Sequence, residues 1–473
     1  MGSSKAPRWW GGKAHIVFTV VIFVILASLD NAAVGLIPPL YPVIARDLSV
    51  AESALGLVTA VNILLTAVTA LVWGYWGDRT SRKRLLLYGT LVWGVGVALS
   101  GSSGSYWHLM GSQVVAAVGL GCIASVGFSV VSDFISPRWR GLVMSLWGLS
   151  QGIGTVGGGI LAGLLGAGDW RMPFYAMAGA GVAFSVLYLL TFDPQRGRAE
   201  PELARIFAAG GDYGYRIEPA DVWRLLTKPS NVWLITQGFF AQFAFGANVW
   251  MSRLFVARVQ VEGYSLQTAT AVGALFGALF TVGGFFSILG GYLGDLWQRK
   301  NPRGRALLSA IGILGSIPLF VGLFFLPLHG LNLPEGAGSG AVTSAVLRSV
   351  FTNGWVAGAF LLALGAQALN GFNSPNWFAM ITDVNLPEHR GTVYAMGNLA
   401  NGIGRSIGNG AVGAAFAVFA TAYAAPWNYA VGLAVFQAFF IPTGICYLMA
   451  ARTTPKDIAT VKERLVERAS AAS

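Results

Sequence analysis

The chain has 473 residues, of which 55% are hydrophobic and only 11% charged, and its mean hydropathy is +0.61. A soluble domain carries roughly 25% charged residues, so the composition excludes an ordinary soluble enzyme or binding module and points to a chain whose main solvent is lipid. The net charge of +11 does not indicate nucleic acid, because the basic residues lie in short loops between apolar runs, where they act as topology signals.

A spanning helix needs about 20 mostly apolar residues. Lys5, Arg8 and Lys13 precede an apolar run longer than a signal-peptide core, so it is read as a retained first helix. In chain order the predicted spans are 14–42, 53–77, 84–102, 106–135, 141–168, 172–192, 230–258, 266–294, 304–327, 354–383, 391–418 and 424–450. The fold class is therefore an all-α integral membrane protein with twelve transmembrane helices. An even count puts both termini on one side. All Lys and Arg except Arg46, Arg171, Arg253, Arg258, Arg348 and Arg405 fall on the side of the termini, so the positive-inside rule makes that side cytoplasmic. The charged stretch 193–229 reads as a cytoplasmic linker, with a short surface helix at 217–228. The expected domains are thus 1–192, a six-helix bundle; 193–229, the linker; 230–450, a second six-helix bundle; and 451–473, a cytoplasmic tail. The Gly-rich stretch 330–353 is an outer loop, with a short helix expected at 341–351. The two cysteines, Cys122 and Cys446, sit in apolar segments and imply neither a disulfide framework nor a metal site.

The two halves echo each other. Asp133, Pro137, Arg140, Gly141, Leu149, Gly152, Ile153, Gly154, Gly158 and Gly163 recur 250 positions later as Asp383, Pro387, Arg390, Gly391, Leu399, Gly402, Ile403, Gly404, Gly408 and Gly413. Gly74-Tyr75-Trp76-Gly77-Asp78 with Arg82 and Lys83 returns as Gly291-Tyr292-Leu293-Gly294-Asp295 with Arg299 and Lys300. Paired repeats in a polytopic chain are the mark of a transporter whose site lies where the repeats meet.

The run from Gly74 to Arg84 resembles the signature loop of the major facilitator superfamily. Its Asp78 can cap a nearby helix N-terminus or pair with a basic residue. The resemblance implies a cytoplasmic latch between pseudo-symmetric bundles, with Asp78, Arg79, Arg82, Asp133, Arg140, Asp295, Asp383 and Arg390 as candidates. The alternative is that the arginines only set topology. Gly148, Gly152, Gly154, Gly157, Gly158, Gly159 and Gly163 look like a degraded form of the superfamily's antiporter motif, with Thr155 in place of its proline, and close helix packing explains them equally.

Within the superfamily the layout is similar to the spinster group. Asp30 precedes a Val-Gly-Leu-Ile-Pro run, Gly77-Asp78-Arg79 is followed by Arg82-Lys83, Gly168-Asp169-Trp170 closes helix 5, and Asp193-Pro194-Gln195-Arg196-Gly197 follows helix 6. The resemblance implies transport of lysophospholipids or sphingosine phosphate, with proton coupling in some members. This chain departs from the group at Asn31, Val115 and Cys122, where the group carries charges, so facilitated diffusion and exchange stay open.

Charges inside spans are costly and mark function. Asp30 and Arg405 each lie roughly 21–24 Å from the cytoplasmic start of their helices at 1.5 Å per residue, one in each half. They are candidates for a direct or substrate-mediated pair, or for two separately satisfied charges. Asp30 is the proton-coupling candidate. Arg405 suits an anionic head group, because guanidinium binds phosphate bidentately, or a lock between helices. The resemblance implies that helices 1, 4, 7 and 10 line the cavity, which directs Asp30, Asn31, Gln113, Gln237, Gln242, Phe243, Gln367, Asn370, Ser374 and Trp377 toward substrate together with Arg405. Each amide has the alternative of holding helices together. No constellation for catalysis, no ATP-binding loop and no cofactor site is seen, so the chain is not read as an enzyme. The expected function is alternating access for an amphiphilic lysolipid-type substrate, with protons as a candidate coupling partner; the alternative is export of drugs or small organic anions. The protein is expected to be a monomer in a bacterial inner membrane, with no nucleic-acid partner.

Overall fold

The computed structural model describes residues 13–472 except 51, 136, 166–168, 192–194, 198, 205–214, 216, 249–250, 281 and 336–338. Side chains at a further set of helical positions, Asp30, Asn248, Arg253 and Asn409 among them, also lie outside the described residues. The described chain is almost entirely helical and holds no strand. Such a result follows from lipid as solvent, where every backbone polar group must be satisfied within its own segment.

The first repeat comprises α1 (Lys13–Asp47), α2 (Glu52–Arg79), α3 (Arg82–Gly101), α4 (Tyr106–Cys122), α5 (Phe128–Phe134), α6 (Arg140–Leu165) and α7 (Met172–Tyr188). A π-helical turn, Ile123–Gly127, joins α4 to α5 as one continuous rod. After the short linker helix α8 (Pro219–Thr227) come α9 (Pro229–Asn248), α10 (Met251–Val261), α11 (Leu266–Phe280), α12 (Ser287–Lys300) and α13 (Gly304–Phe325). The chain closes with α14 (Ser339–Thr352), α15 (Gly354–Gly371), α16 (Asn373–Val384), α17 (Arg390–Ala420), α18 (Trp427–Gln437) and α19 (Phe440–Ala472). Among the described residues, six helical stretches are long and apolar enough to cross a membrane: Leu57–Arg79, Arg82–Gly101, Tyr106–Val131, Gly304–Phe325, Gly354–Val384 and Trp427–Ser470. Helices also occupy the other six expected segments.

By contacts the chain divides into two compact units. The first is Met1–Asn231 with Phe378–Leu399 and Lys456–Ser473; the second is Val232–Trp377 with Ala400–Pro455. The first unit therefore takes in a piece of the second repeat and the tail, neither of which the linear domain division assigns to it. Its core gathers Leu36 and Ile44 of α1, Leu55 of α2, Trp93 of α3, Leu120 of α4 and Phe174 of α7.

Within each unit glycines bring helix backbones together at several crossings, and one of these recurs in both repeats. A Cβ at Gly154 would lie 2.1 Å from the Ser28 carbonyl oxygen, and one at Gly158 would lie 2.0 Å from that of Ala32, so α6 crosses α1 backbone against backbone. In the second unit Gly404 and Gly408 meet the carbonyls of Phe239 and Phe243, each at 2.2 Å. The same two glycines of each repeat thus make the same four-residue contact, the small-residue packing that lipid-embedded helices use to gain dispersion contacts. By contrast, a Cβ at Gly157 would meet nothing within 4 Å.

Gly158→Ala and Gly408→Ala should each destabilise by roughly 1–3 kcal/mol through overpacking. Gly157→Ala should be neutral or slightly stabilising, because alanine loses less backbone entropy in a helix. Thermal unfolding in detergent compares the three, and equal melting temperatures would refute the crossing as the constraint.

Candidate functional site

The first unit carries a buried cluster of charges where α2, α3, α5, α6, α16, α17 and the linker converge. Four arginines, Arg82, Arg140, Arg196 and Arg390, interlock with four acids, Asp78, Asp133, Glu200 and Asp383. Asp78, Arg82, Asp133, Arg140 and Arg390 are each at most 2% exposed. Buried charges are tolerated only when paired and hydrogen-bonded, and here the signs balance.

The pairing is crossed between the repeats. Arg140 Nη1 donates to Asp383 Oδ1 at 2.7 Å, and Arg390 Nη1 donates to Asp133 Oδ1 at 3.2 Å. Since Asp133 corresponds to Asp383 and Arg140 to Arg390, each repeat's arginine meets the other repeat's aspartate. Glu200, from the linker, bridges both guanidiniums by accepting from Arg140 and Arg390. Asp133 also accepts from Arg82 at 2.5 Å and from the Gly197 backbone N–H at 3.1 Å. Burial pushes the Glu200 carboxyl up, but Arg140 and Arg390 outweigh it and hold the group down at about 2. Burial likewise works against the charged form of Arg140, and Glu200 and Asp383 reverse that and raise it.

Asp78 supplies a separate contact. Its Oδ2 accepts from the Thr392 backbone N–H at 2.8 Å and from the Thr392 hydroxyl at 2.9 Å, in the first turn of α17. A carboxylate there meets unpaired N–H groups and the positive end of the helix dipole. Arg196 stands 3.8 Å from the other Asp78 oxygen and donates to the backbone carbonyls of Gly77 and Thr80. Gly391 allows the approach, since a Cβ there would lie 2.8 Å from Asp78 Oδ1. Beside the cluster, the Phe128 ring stacks on Tyr394 at 4.1 Å and lies 5.7 Å from Phe378.

The remaining latch candidates are placed elsewhere. Arg79 is exposed and donates to the Tyr75 hydroxyl one turn back. Asp295 lies in the second unit, where Arg305 donates to it at 2.6 Å. The motif copies in the two repeats thus have different partners: Asp78 caps α17, whereas Asp295 is bound next to its own helix. Sequence reasoning used Arg196 as a topology charge and as part of the run after helix 6, gave it no place in the latch, and missed Glu200. The sequence held no signal for it, because the linker mixes acids and bases evenly and Glu202 stands two positions away.

Most substrate candidates lie in the second unit. Gln237 is buried on α9, and its Nε2 donates to the Leu234 carbonyl at 3.1 Å. Trp377 Nε1 donates to the same carbonyl at 2.9 Å, so the structure brings these two together. Gln237 Oε1, Asn370 Nδ2 and Asn401 Oδ1 are buried without a hydrogen-bond partner among the described residues. Such atoms are costly unless water or a ligand meets them. Gln367, Asn370, Ser374 and Trp377 follow helical spacing through α15 and α16, with Gln367, Ser374 and Gln242 half-buried. Phe243 stacks against Phe436 at 5.6 Å and packs on Phe439 at 4.3 Å. Arg405 is exposed on α17, about half a turn from the exposed apolar pair Ile403 and Ile407. Helical spacing puts Asn398, Asn401 and Arg405 on one side of that helix.

In the first unit Gln113 is used between helices. Its Nε2 donates to Ser100 Oγ at 2.9 Å, and its Oε1 accepts from Asn62 at 3.0 Å. Asn31 is half-buried on α1. Asp30 belongs to the same helix, and its side chain lies outside the described residues. Cys122 is buried, with its thiol 3.3 Å from the Leu85 carbonyl.

Comparison with known proteins agrees with this architecture. Residues 21–409 match the family model of the Major Facilitator Superfamily. Protein spinster homolog 3 of Mus musculus is 28% identical over 331 residues, 66% of this chain and 61% of that protein. The sphingosine-1-phosphate transporter SPNS2 of Xenopus tropicalis is 28% identical over 60% of this chain and 55% of its own length. The probable sulfoacetate transporter SauU of Cupriavidus necator is 24% identical over 66% of this chain and 72% of that protein. The matched part thus spans less than two thirds of the two spinster-group relatives. Among solved structures, a bacterial homologue of the human lysosomal transporter spinster, inward-facing and unoccupied, superposes with a TM-score of 0.58 at 19% identity, covering 94% of this chain and 99% of that one. FucP in the outward conformation gives 0.61 at 14% identity, covering 92% and 98%.

Removing one member of the cluster leaves buried charge uncompensated, which costs about 3–5 kcal/mol. Arg140→Gln should therefore lower the melting temperature markedly, and the double change with Glu200→Gln should recover part of the loss. Because the Glu200 carboxyl is depressed, its stabilisation is complete above the ordinary carboxylate range and is lost as pH falls through about 2. The difference in melting temperature between wild type and Glu200→Gln should be constant from about pH 5 to 8 and shrink on stronger acidification. A difference that changes near neutrality would contradict the assignment.

Proposed function

Because the chain belongs to the Major Facilitator Superfamily, we propose that it is an alternating-access carrier for an amphiphilic anion of the lysophospholipid or sphingosine-phosphate type. The crossed pairing of Arg140 with Asp383 and Arg390 with Asp133 carries the reading. These bonds join segments of both repeats, and their breaking and remaking is the kind of discrete two-state change that alternating access needs. Buried ion pairs suit the task, because desolvation offsets much of their Coulomb gain. The closed, paired state and an open, hydrated one can then differ by only a few kcal/mol, small enough for ligand binding to shift the balance.

The substrate class draws on two supports. Two of the relatives above are spinster-group proteins, one of them a sphingosine-1-phosphate transporter. Arg405 offers a fork for a phosphate, the orphaned amides Gln237, Asn370 and Asn401 offer further polar contacts, and Phe239 and Phe243 offer apolar surface for a chain. Coupling to protons would rest on Asp30. A small organic anion is the second reading, favoured by the sulfoacetate-transporter relative and by the same guanidinium. The positive-inside distribution supports placing both termini in the cytoplasm, and the carrier is taken to work as a monomer in an inner membrane.

Protein-dependent flux of labelled lysophospholipid into proteoliposomes is the expected result, and Arg405→Gln should lower it by about tenfold, equivalent to roughly 1.4 kcal/mol. Flux of a short sulfonate or carboxylate with none of the lipid would replace the first reading with the second. An imposed pH gradient that drives flux in wild type but not in Asp30→Asn would assign coupling to Asp30; flux indifferent to the gradient would remove protons from the mechanism.

A further inference from the structure

The last helix continues well beyond its apolar part. α19 runs unbroken to Ala472, and its cytoplasmic portion exposes Arg452, Lys456, Lys462, Glu463, Arg464 and Glu467. One face of this portion is nonetheless buried. Val461 and Leu465, one turn apart, form a small apolar core with Leu203 of the linker and Leu386, and Ala469 packs against it. Arg468 donates to Glu388 Oε1 at 2.6 Å, and its guanidinium lies 3.8 Å over the Tyr215 ring. Asp457 accepts from the Ser230 backbone N–H at 3.2 Å.

The choice of partners is informative. Leu386 and Glu388 lie in the short connection between Asp383 and Arg390, and Leu203 lies three residues after Glu200. The tail therefore packs on the two peptide segments that deliver Asp383, Arg390 and Glu200 to the ion cluster. Its anchor carboxylate, Glu388, is 1% exposed. Pro455 sits inside α19, and the division between the compact units falls between Pro455 and Lys456. Proline removes a backbone hydrogen bond and weakens the helix locally, so the portion after it can move as a piece.

We propose that residues 456–472 form a strap that docks on the 386–389 connection and the linker, holds the crossed ion pairs together, and so sets the balance between latched and released states. The proposal rests on the latch reading above. The strap's surface is specific: an apolar pair, Val461 and Leu465, and one ion pair, Arg468 with Glu388. Val466, on the same helix, is 51% exposed and takes no part.

The test follows the accessibility of a buried position in the latched segment. Ala395 is fully buried on α17. In full-length protein with Cys122 and Cys446 replaced by serine, Ala395→Cys is reacted with a membrane-impermeant maleimide in inside-out vesicles. Leu465→Asp, and truncation after Pro455, should each raise the labelling rate by about tenfold. Val466→Asp should leave it unchanged, and a synthetic peptide of residues 456–472 added to the truncated protein should restore slow labelling. Arg140→Gln with Arg390→Gln serves as the latch control. Faster labelling in that control but not in the tail variants would overturn the strap and leave the latch standing. Faster labelling in neither would remove the latch and the strap with it. An equal increase from Val466→Asp would show a nonspecific effect and overturn the strap. Size-exclusion profiles identify any variant that fails to fold, and the peptide restoration then decides.

Discussion

The junction of α2, α3, α5, α6, α16, α17 and the linker depends on keeping eight charges out of water at once. Four guanidiniums and four carboxylates are buried together, and no member can leave without stranding another. Within a low-dielectric environment such a set is close to all-or-none, because a half-satisfied network costs more than either extreme. The crossed geometry makes this collective. Asp133 and Asp383 are equivalent by repeat, as are Arg140 and Arg390, and Glu200 ties the two pairs into one. The Glu200 bridge comes from the linker, so a segment that reads as a mere connection supplies the counter-ion that both arginines share.

Around the charges, the glycine crossings provide stiffness. Gly154 and Gly158 against α1, and Gly404 and Gly408 against α9, bring backbones within a distance that leaves no room for a Cβ. Contacts this close have little freedom to slide, and packed interfaces of this kind change state as wholes rather than by deforming. Of the helix-5 motif glycines, Gly154 and Gly158 are therefore accounted for by packing in this structure, whereas Gly157 faces open space. The same register repeated 250 residues later shows that the constraint belongs to the repeat itself.

The repeats are nonetheless used unequally. Asp78 caps α17 through Thr392, while its counterpart Asp295 is paired with Arg305 within the second unit. One copy thus acts across the repeats and the other within its own. A similar division separates the polar candidates. Gln113 spends its amide on Asn62 and Ser100, whereas Gln237, Asn370 and Asn401 each keep a buried polar atom without a protein partner among the described residues. Amides of the second kind are where a polar ligand group or water would be accepted most readily.

Much was legible in the sequence because it is written locally. Helices and their order follow from the length of apolar runs and the repeat from motif copies at a fixed offset, while the resemblance of the run from Gly74 to Arg84 implies the family. Six of the cluster's eight charges, Asp78, Arg82, Asp133, Arg140, Asp383 and Arg390, could be named, since repeated Asp and Arg residues at the ends of apolar runs stand out against their background. Their partners could not, because Arg140 and Asp383 are 243 positions apart and charge pairing depends on distance in space. Nor could the sequence tell Asp78 from Asp295, two carboxylates in nearly the same motif, or foresee that Glu200 would join the cluster and that the tail around Leu465 would pack on Leu203 and Leu386. Those choices were made by tertiary structure alone, where desolvation forces each buried charge to take whichever opposite charge the packing brings within reach.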